Sequence, residues 1–504
     1  MSDTELPRWG HRTAPLAPLA ALGGIAVLAG GLAAGFRLTA VAAALLLLGA
    51  ALLLHAPRLQ WRWVVGAIIV VVLVIPIRRY SFGVQLPLDL EPYRLLLAVV
   101  LGLWIASLLV DRSTRLRPTG LEGPLALIVV ATIGSVVVNT DRVEEVSDNV
   151  LKSQFFFITF VLFLYFAVSS FATWRDIDFT VKLLVGGVFA LAVSAIIEYR
   201  TGWTIFAHLD RYIPFLQSKG LALEDARGGR VRAQASAEHP LSWTGLCLLV
   251  APLSLYLAAV HRRRWLLVGA VIVVAGFSSL SRTAVVMLLV AALVVVWMRP
   301  HHVRAEAKTL LVALIPLLIV LKLVVPGVVG TLRYEFSPSE GIVAEQSVVG
   351  SADGGRLNDI PYVIDAVKGS PFFGQGYGAR LRGQSDGAAV GASGTFDPQG
   401  RVLDDQWFGT AVDTGLVAVI GWIWLLVRVI RRMGWLARHG PPEAAWLGVS
   451  VNAGLIALSV GMLTFDAFSF VQLTFAMYVV LALACAAWAI AGRDAQPLQP
   501  REQT

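Results

Sequence analysis

The sequence predicts an all-α polytopic membrane protein of about 12–14 transmembrane helices, with two long loops on one face. Three observations predict it. Of the 504 residues 57% are hydrophobic and only 15% charged, where soluble chains carry about 25% charged. The mean hydropathy is +0.72. The apolar residues fall in runs such as "PLAALGGIAVLAGGLAAGF" and "VQLTFAMYVVLALACAAWAI", of about the length that crosses the hydrocarbon of a bilayer. These runs lack the alternation of barrel strands, and lipid satisfies no backbone polar group, so each run is helical.

In chain order the expected spans are 17–36, 38–54, 63–77, 93–110, 121–138, 154–171, 179–197, 240–260, 265–280, 283–298, 309–326, 408–427, 446–463 and 471–491. The pair at 38–54 and 63–77 and the pair around Arg282 set the range between twelve and fourteen. The first run is read as a retained helix and not a cleaved signal, because many spans follow it. Lys and Arg concentrate in alternate short loops, "RLQWR", "DRSTRLR", "HRRRW", "RPHHVRAEAK" and "RVIRRMGWLAR", which are expected inside with both termini. The long loops at about 200–239 and 327–407 then lie outside. Three regions follow: N-terminal helices over 1–195, a core over 196–470, and the last helix with its tail over 471–504.

Several classes are excluded. Cys247 and Cys485 both lie in apolar runs, so neither a disulfide framework nor a zinc site has a basis. The pI is near 9.7, but the basic residues are spread between spans, which argues against nucleic acid. No Gly-rich phosphate loop is present. No cofactor and no metal are expected.

The informative residues are arginines on the face expected to be poor in them: Arg78, Arg79, Arg94, Arg230, Arg232, Arg282 and Arg356. Arg282 stands in "FSSLSRTAVVMLL" with apolar residues on both sides. An arginine at membrane depth needs an anionic partner. One such residue can be a structural ion pair or a snorkelling side chain; as a group they suit a diphosphate, whose oxygens match the guanidinium fork.

Four stretches resemble the family of O-antigen ligases and polymerases. They are "IIEYRTGWTIF" (196–206); "VRAQASAEHPLSWTG", with Arg232, His239, Pro240 and Gly245 in place; "SLSRTAVV"; and "GGRLNDIPYVIDAVKGSPFFGQGYG" (354–378). The resemblance covers 196 to about 470. It implies a GT-C-like, metal-independent glycosyltransferase at the outer face of the bacterial plasma membrane. Its donor would be a polyprenyl-diphosphate-linked oligosaccharide, its acceptor a glycan or glycolipid, and its surroundings membrane lipid. One departure stands out. Where the ligases carry H-N-x-Y-L followed by E-x-G, this chain reads "LDDQWFGTAVDTG". Asp404 holds the histidine's place, Asp405 the asparagine's, Trp407 the tyrosine's and Asp413 the glutamate's. That variant looks more like the polymerase-type members.

The reaction so implied is attack of an acceptor hydroxyl on an anomeric carbon. Charge on the departing diphosphate calls for preplaced cations. Arg232, Arg282 and Arg356 are the first candidates, with Arg230 and Arg78 behind them. The proton acceptor is sought among Asp404, Asp405 and His239. Each has a plainer alternative: an Asp in "DDQ" caps the following helix, and His239 before Pro240 is a structural hydrogen-bonder. Asp413, inside an apolar run, is either a substrate contact or a partner for Arg282. Glu238 is expected to pair with Arg230 or Arg232. Asp466 lines a lipid entrance or closes a turn, and the glycines of "GSPFFGQGYG" shape a loop. The competing class is a lipid-linked oligosaccharide flippase or a small-solute transporter. Such proteins show inverted repeats and charges at the midplane. Here no repeat is visible and the charges cluster at one face.

Overall fold

The computed structural model describes residues 61–82, 91–110, 114–213, 216–219, 226–227, 230–298, 319, 321–325, 330, 356–379, 403 and 405–494. They form a helical bundle. Its helices are α1 (Trp61–Val74), α2 (Pro92–Val110), α3 (Glu122–Val138), α4 (Ser147–Ser170) and α5 (Trp174–Thr201). Then come α6 (Pro240–Val250), α7 (Leu253–Val260), α8 (Trp265–Gly276), α9 (Arg282–Met298) and α10 (Arg356–Gly369). The last are α11 (Gln406–His439), α12 (Pro442–Gly461) and α13 (Val471–Asp494).

Seven helical stretches among the described residues are long and apolar enough to cross a membrane, α6 and α7 forming one of them; four shorter apolar helices accompany them. Together they match eleven of the fourteen expected spans. The others, 17–36, 38–54 and 309–326, lie wholly or largely outside the described residues.

Burial grades from centre to rim. Of α13's apolar stretch 89% is buried, against 33% of α2's, so α13 is central and α2 faces lipid. Helix α12 packs on α9, α11 and α7. It does so through small residues, among them Ala444, Gly448, Ala453, Gly454 and Ala457. Small side chains let helix backbones approach closely where lipid gives no hydrophobic drive to associate. At Gly454 a Cβ would collide with the Leu249 carbonyl.

Several helices outrun their expected ends, α5 and α11 for identifiable reasons. Helix α5 starts at Trp174 because Thr173 and Asp176 form a reciprocal capping box, and Gly202 ends it in the left-handed conformation. Helix α11 continues to His439, so "RVIRRMGWLAR" is helix and not loop. Val429, Met433, Leu436 and Ala437 recur on its buried face.

The helices alternate in direction, so loops collect at two ends. One end is tied by Arg62 to Asp176 at 3.3 Å, His261 to Asp178 at 2.6 Å, and Arg493 to the Ala172 carbonyl at 3.0 Å. The other end holds the 200–239 loop. There β1 (Tyr80–Ser81) pairs antiparallel with β2 (Gln217–Ser218), and β3 (Ala226–Arg227) with β4 (Arg230–Val231). The Tyr80 hydroxyl donates to the Phe206 carbonyl and accepts from Leu209 N–H, both at 3.0 Å. In the second long loop α10 forms. Val363 and Ala366 bury a small apolar cluster with Leu403 and Val412.

Candidate functional site

The 231–239 segment is held by buried hydrogen bonds to four neighbours. Ala233 N–H donates to the Ser278 carbonyl at 3.1 Å. The Glu198 carboxylate, in the last turns of α5, accepts Gln234 N–H at 3.3 Å and Ala235 N–H at 2.8 Å. Ala235 has φ +51°, a conformation a non-glycine residue holds only when its surroundings demand it. Ser236 Oγ donates to the Leu73 carbonyl. Gln472 Nε2 reaches the same carbonyl at 3.1 Å and Ser236 Oγ at 3.1 Å. Arg232, only 6% exposed, is thereby fixed with its Nε donating to the Ser279 carbonyl at 2.8 Å. Ser279 belongs to the turn that ends at Arg282, the first residue of α9. Two of the candidate arginines thus stand on adjoining, mutually bonded backbone.

Arg79 is also buried, and burial lowers its hold on its proton, offset by Tyr80 and Glu198 nearby. Glu238 has a partner that the sequence reading did not name: it lies 3.7 Å from Arg78 Nε, while its Oε2 accepts Val471 N–H, the first of α13, at 2.8 Å. The reason is topological: the open N–H groups of α13 face this loop, and a carboxylate is the natural acceptor for them. Arg78 also donates to the Ser469 carbonyl at 3.0 Å and remains 55% exposed. Burial, with a contribution from Glu91, raises Glu238 to about 7, against the pull of Arg78. Glu91 itself is buried beside Lys219 at 3.5 Å and Arg94 at 3.8 Å.

His239 caps α6: its Nδ1 accepts Leu241 N–H at 3.1 Å and its ring stacks on Phe470, 5.5 Å between centroids. An Nδ1 that accepts leaves the proton of a neutral ring on Nε2. In this arrangement Nδ1 is occupied as the acceptor of the cap. Asp405 is likewise a cap. Its Oδ1 accepts Trp407 N–H at 2.8 Å and Phe408 N–H at 3.0 Å. Gln406 joins the start of α11 to the connection between α12 and α13, its Oε1 accepting Phe468 N–H at 2.6 Å. Asp404 lies outside the described residues, and Arg230 and Arg356 are described in backbone only, in β4 and at the start of α10.

Asp413 sits where α11 is interrupted. Gly415 has φ +77° and ψ 178°, and the segment 370–379 fills the break. Leu416 N–H donates to the Pro371 carbonyl at 2.8 Å, and Gln375 N–H to the Val412 carbonyl at 2.7 Å. The Asp413 carbonyl accepts Gly376 N–H at 3.2 Å and Ser135 Oγ at 2.6 Å. A Cβ on Gly415 would strike the Phe372 carbonyl, and one on Gly374 the Val412 carbonyl. The "GSPFFGQGYG" glycines therefore serve a turn wedged into a broken helix. Asp413 and Asp466 both act on the buried Tyr377 hydroxyl, which burial chiefly makes a weaker acid. Asp466 also accepts Ser469 Oγ at 2.5 Å, which closes a turn.

The structure brings Arg78, Arg232, Glu238, His239, Asp405 and the turn before Arg282 to one end of the bundle. A recess of about 230 Å³ beside Thr173, Trp174 and Arg493, at the other end, holds none of them. Sequence reasoning named Arg79 only within the group of outer arginines and gave no role to Glu198, Gln472 or Tyr377. Glu198 and Gln472 did carry a signal: each is a polar residue in the terminal turn of an apolar run, where burial demands partners. Guanidinium groups held by backbone carbonyls, as buried Arg232 and exposed Arg78 are here, have the chemistry to pair with an anion.

Residues 267–423 match the model of a family described as O-antigen ligase. No curated protein matches the chain. The matched range includes Arg282, the 354–378 stretch and "LDDQWFGTAVDTG"; the stretches at 196–206 and 231–245 lie outside it.

Proposed function

From a chain that carries the O-antigen ligase family domain over residues 267–423, we propose a membrane enzyme that joins glycans from a polyprenyl-diphosphate-linked donor. In this reading the acceptor hydroxyl attacks the anomeric carbon, the glycosidic bond to phosphate breaks, and the diphosphate leaves. Arg232, Arg282 and Arg78 offset its charge, with Arg356 and Arg230 contributing from the loops, so no metal is required. The hydroxyl proton passes to a carboxylate at the start of α11, Asp404 or Asp405. The core runs from 196 to 470. The site end faces outward, since Arg262, Arg263, Arg264, Arg428, Arg431 and Arg432 crowd the opposite end.

One observation carries the reading: Arg232 is locked onto the turn that presents Arg282. Such a pair is preorganised, and cations already in place cost no reorganisation as charge develops. The interruption of α11 favours a transporter, since broken helices mark such folds. Yet the 370–379 segment fills the break.

The test is reconstitution of the purified protein in vesicles with a polyprenyl-diphosphate oligosaccharide, followed by product sizing. A ladder marks a polymerase; one transfer to a distinct acceptor marks a ligase. Movement of intact donor across the bilayer, with no new glycosidic bond, overturns the enzyme reading.

A further inference from the structure

Helix α10 and the turn after it present an apolar edge that the proposed reaction does not use. On a helix, positions 360, 363, 364 and 367 share one side, and 361, 365 and 368 another. Val363 is buried, with Val367 packed beside it, against Leu403 and Val412. Ile360 and Ile364, on the flank of that seam, are exposed. The next flank is polar, with Asp365 and Lys368 exposed and 3.8 Å apart. Beyond the helix, Phe372 is 67% exposed.

Where this edge leads decides what covers it. Pro371 is bonded to Leu416 of α11, and Phe373 packs at Gly134 of α3. Outward-facing apolar side chains line both helices there: Ile133, Val137 and Val138 on α3, Leu416 and Ile420 on α11. In a polytopic bundle that face meets acyl chains. Phe372 therefore continues an existing lipid-facing surface, and Ile360 and Ile364 extend it onto α10.

We infer that α10 is an in-plane helix, lying at head-group depth in the leaflet at the site end, with Ile360, Ile364 and Phe372 inserted among acyl chains. An apolar edge beside a polar flank is the pattern of a helix that lies on a membrane instead of crossing it. The insertion sets the height of the 356–379 segment, and with it the depth at which α11 begins. It does not depend on the glycosyl-transfer reading.

Fluorophores on single cysteines test it in the full-length protein, reconstituted in phosphatidylcholine vesicles. Cys247 and Cys485 are buried and are first replaced by alanine. Probes at Ile364→Cys and Phe372→Cys should lose emission to lipids brominated near the carbonyl and resist iodide in the water. Probes at Asp365→Cys and Lys368→Cys should show the reverse. Iodide quenching at 364 and 372 without an effect of brominated lipid overturns the proposal. So does protection from both quenchers, which marks a contact with protein, including a second copy of the chain. Should one variant fail to fold, the other carries the same comparison.

Discussion

Arg232 Nε donates to the carbonyl oxygen of Ser279 at 2.8 Å, with the arginine almost wholly buried. This bond makes the 231–239 segment and the turn before α9 one unit, so what moves Arg232 moves the backbone that bears Arg282.

Arg232→Lys should retain charge and lose both the bond to Ser279 and the planar fork. A lost hydrogen bond to a charged group is worth about 1.5–3 kcal/mol, which corresponds to roughly a 10- to 100-fold fall in transfer rate. Because the two segments are coupled, Arg232→Lys and Arg282→Lys together should cost less than the sum of the two. Initial rates with a lipid-diphosphate glycan, across the four proteins of the cycle, check both statements. Additive losses would contradict the coupling.

Glu198→Gln should act at a distance. Gln retains one oxygen for the Gln234 and Ala235 N–H groups and forfeits the charge. The expected outcome is a destabilisation of about 1–3 kcal/mol, read as a lower melting temperature in detergent. Melting at the wild-type temperature would show that Glu198 does not anchor the segment.

Glu238 predicts a pH dependence with a definite sign. In the folded protein burial raises it to about 7, well above the usual carboxylate range. The stability linked to a raised carboxylate is fully present below its unfolded pKa and is lost as pH rises through the folded value. Wild-type protein should therefore melt at progressively lower temperature between about pH 4.5 and 7. Glu238→Gln, which can still accept the Val471 N–H, should flatten that part of the curve. Parallel curves for the two proteins would refute the assignment.

Asp405→Asn and Asp405→Ala separate cap from base. Asn caps a helix about as well as Asp, whereas Ala costs about 1 kcal/mol. If capping is its whole role, Asn keeps both melting temperature and turnover while Ala lowers the first. Loss of turnover in the Asn variant at unchanged melting temperature would make Asp405 the proton acceptor.

Gly415→Ala should dislodge the 370–379 segment. Its positive φ strains any side chain by about 1–3 kcal/mol, and the added Cβ meets the Phe372 carbonyl. Faster proteolysis within 370–379 is the expected readout. Cleavage as slow as in wild type would mean that the helix break does not depend on glycine.

Hydropathy alone was enough to determine the fold class and the position of eleven helices, because a run's fitness for a bilayer depends only on its own side chains. The residues in "VRAQASAEHP" and "SLSR" likewise announced that charge meets membrane there. Helix ends were less legible: the start of α5 at the Thr173–Asp176 box could be read locally, but the extension of α11 to His439 needed α12 to bury Met433 and Leu436. What tertiary structure alone decided was partnership. Glu238 pairs with Arg78, distant in the chain, because the open N-terminus of α13 comes to rest beside it. Glu198 holds Ala235 across 37 residues, and the Phe372 turn fills a break at Gly415. A buried polar group must be satisfied by whatever the fold brings within about 3 Å, and sequence distance does not specify that neighbour.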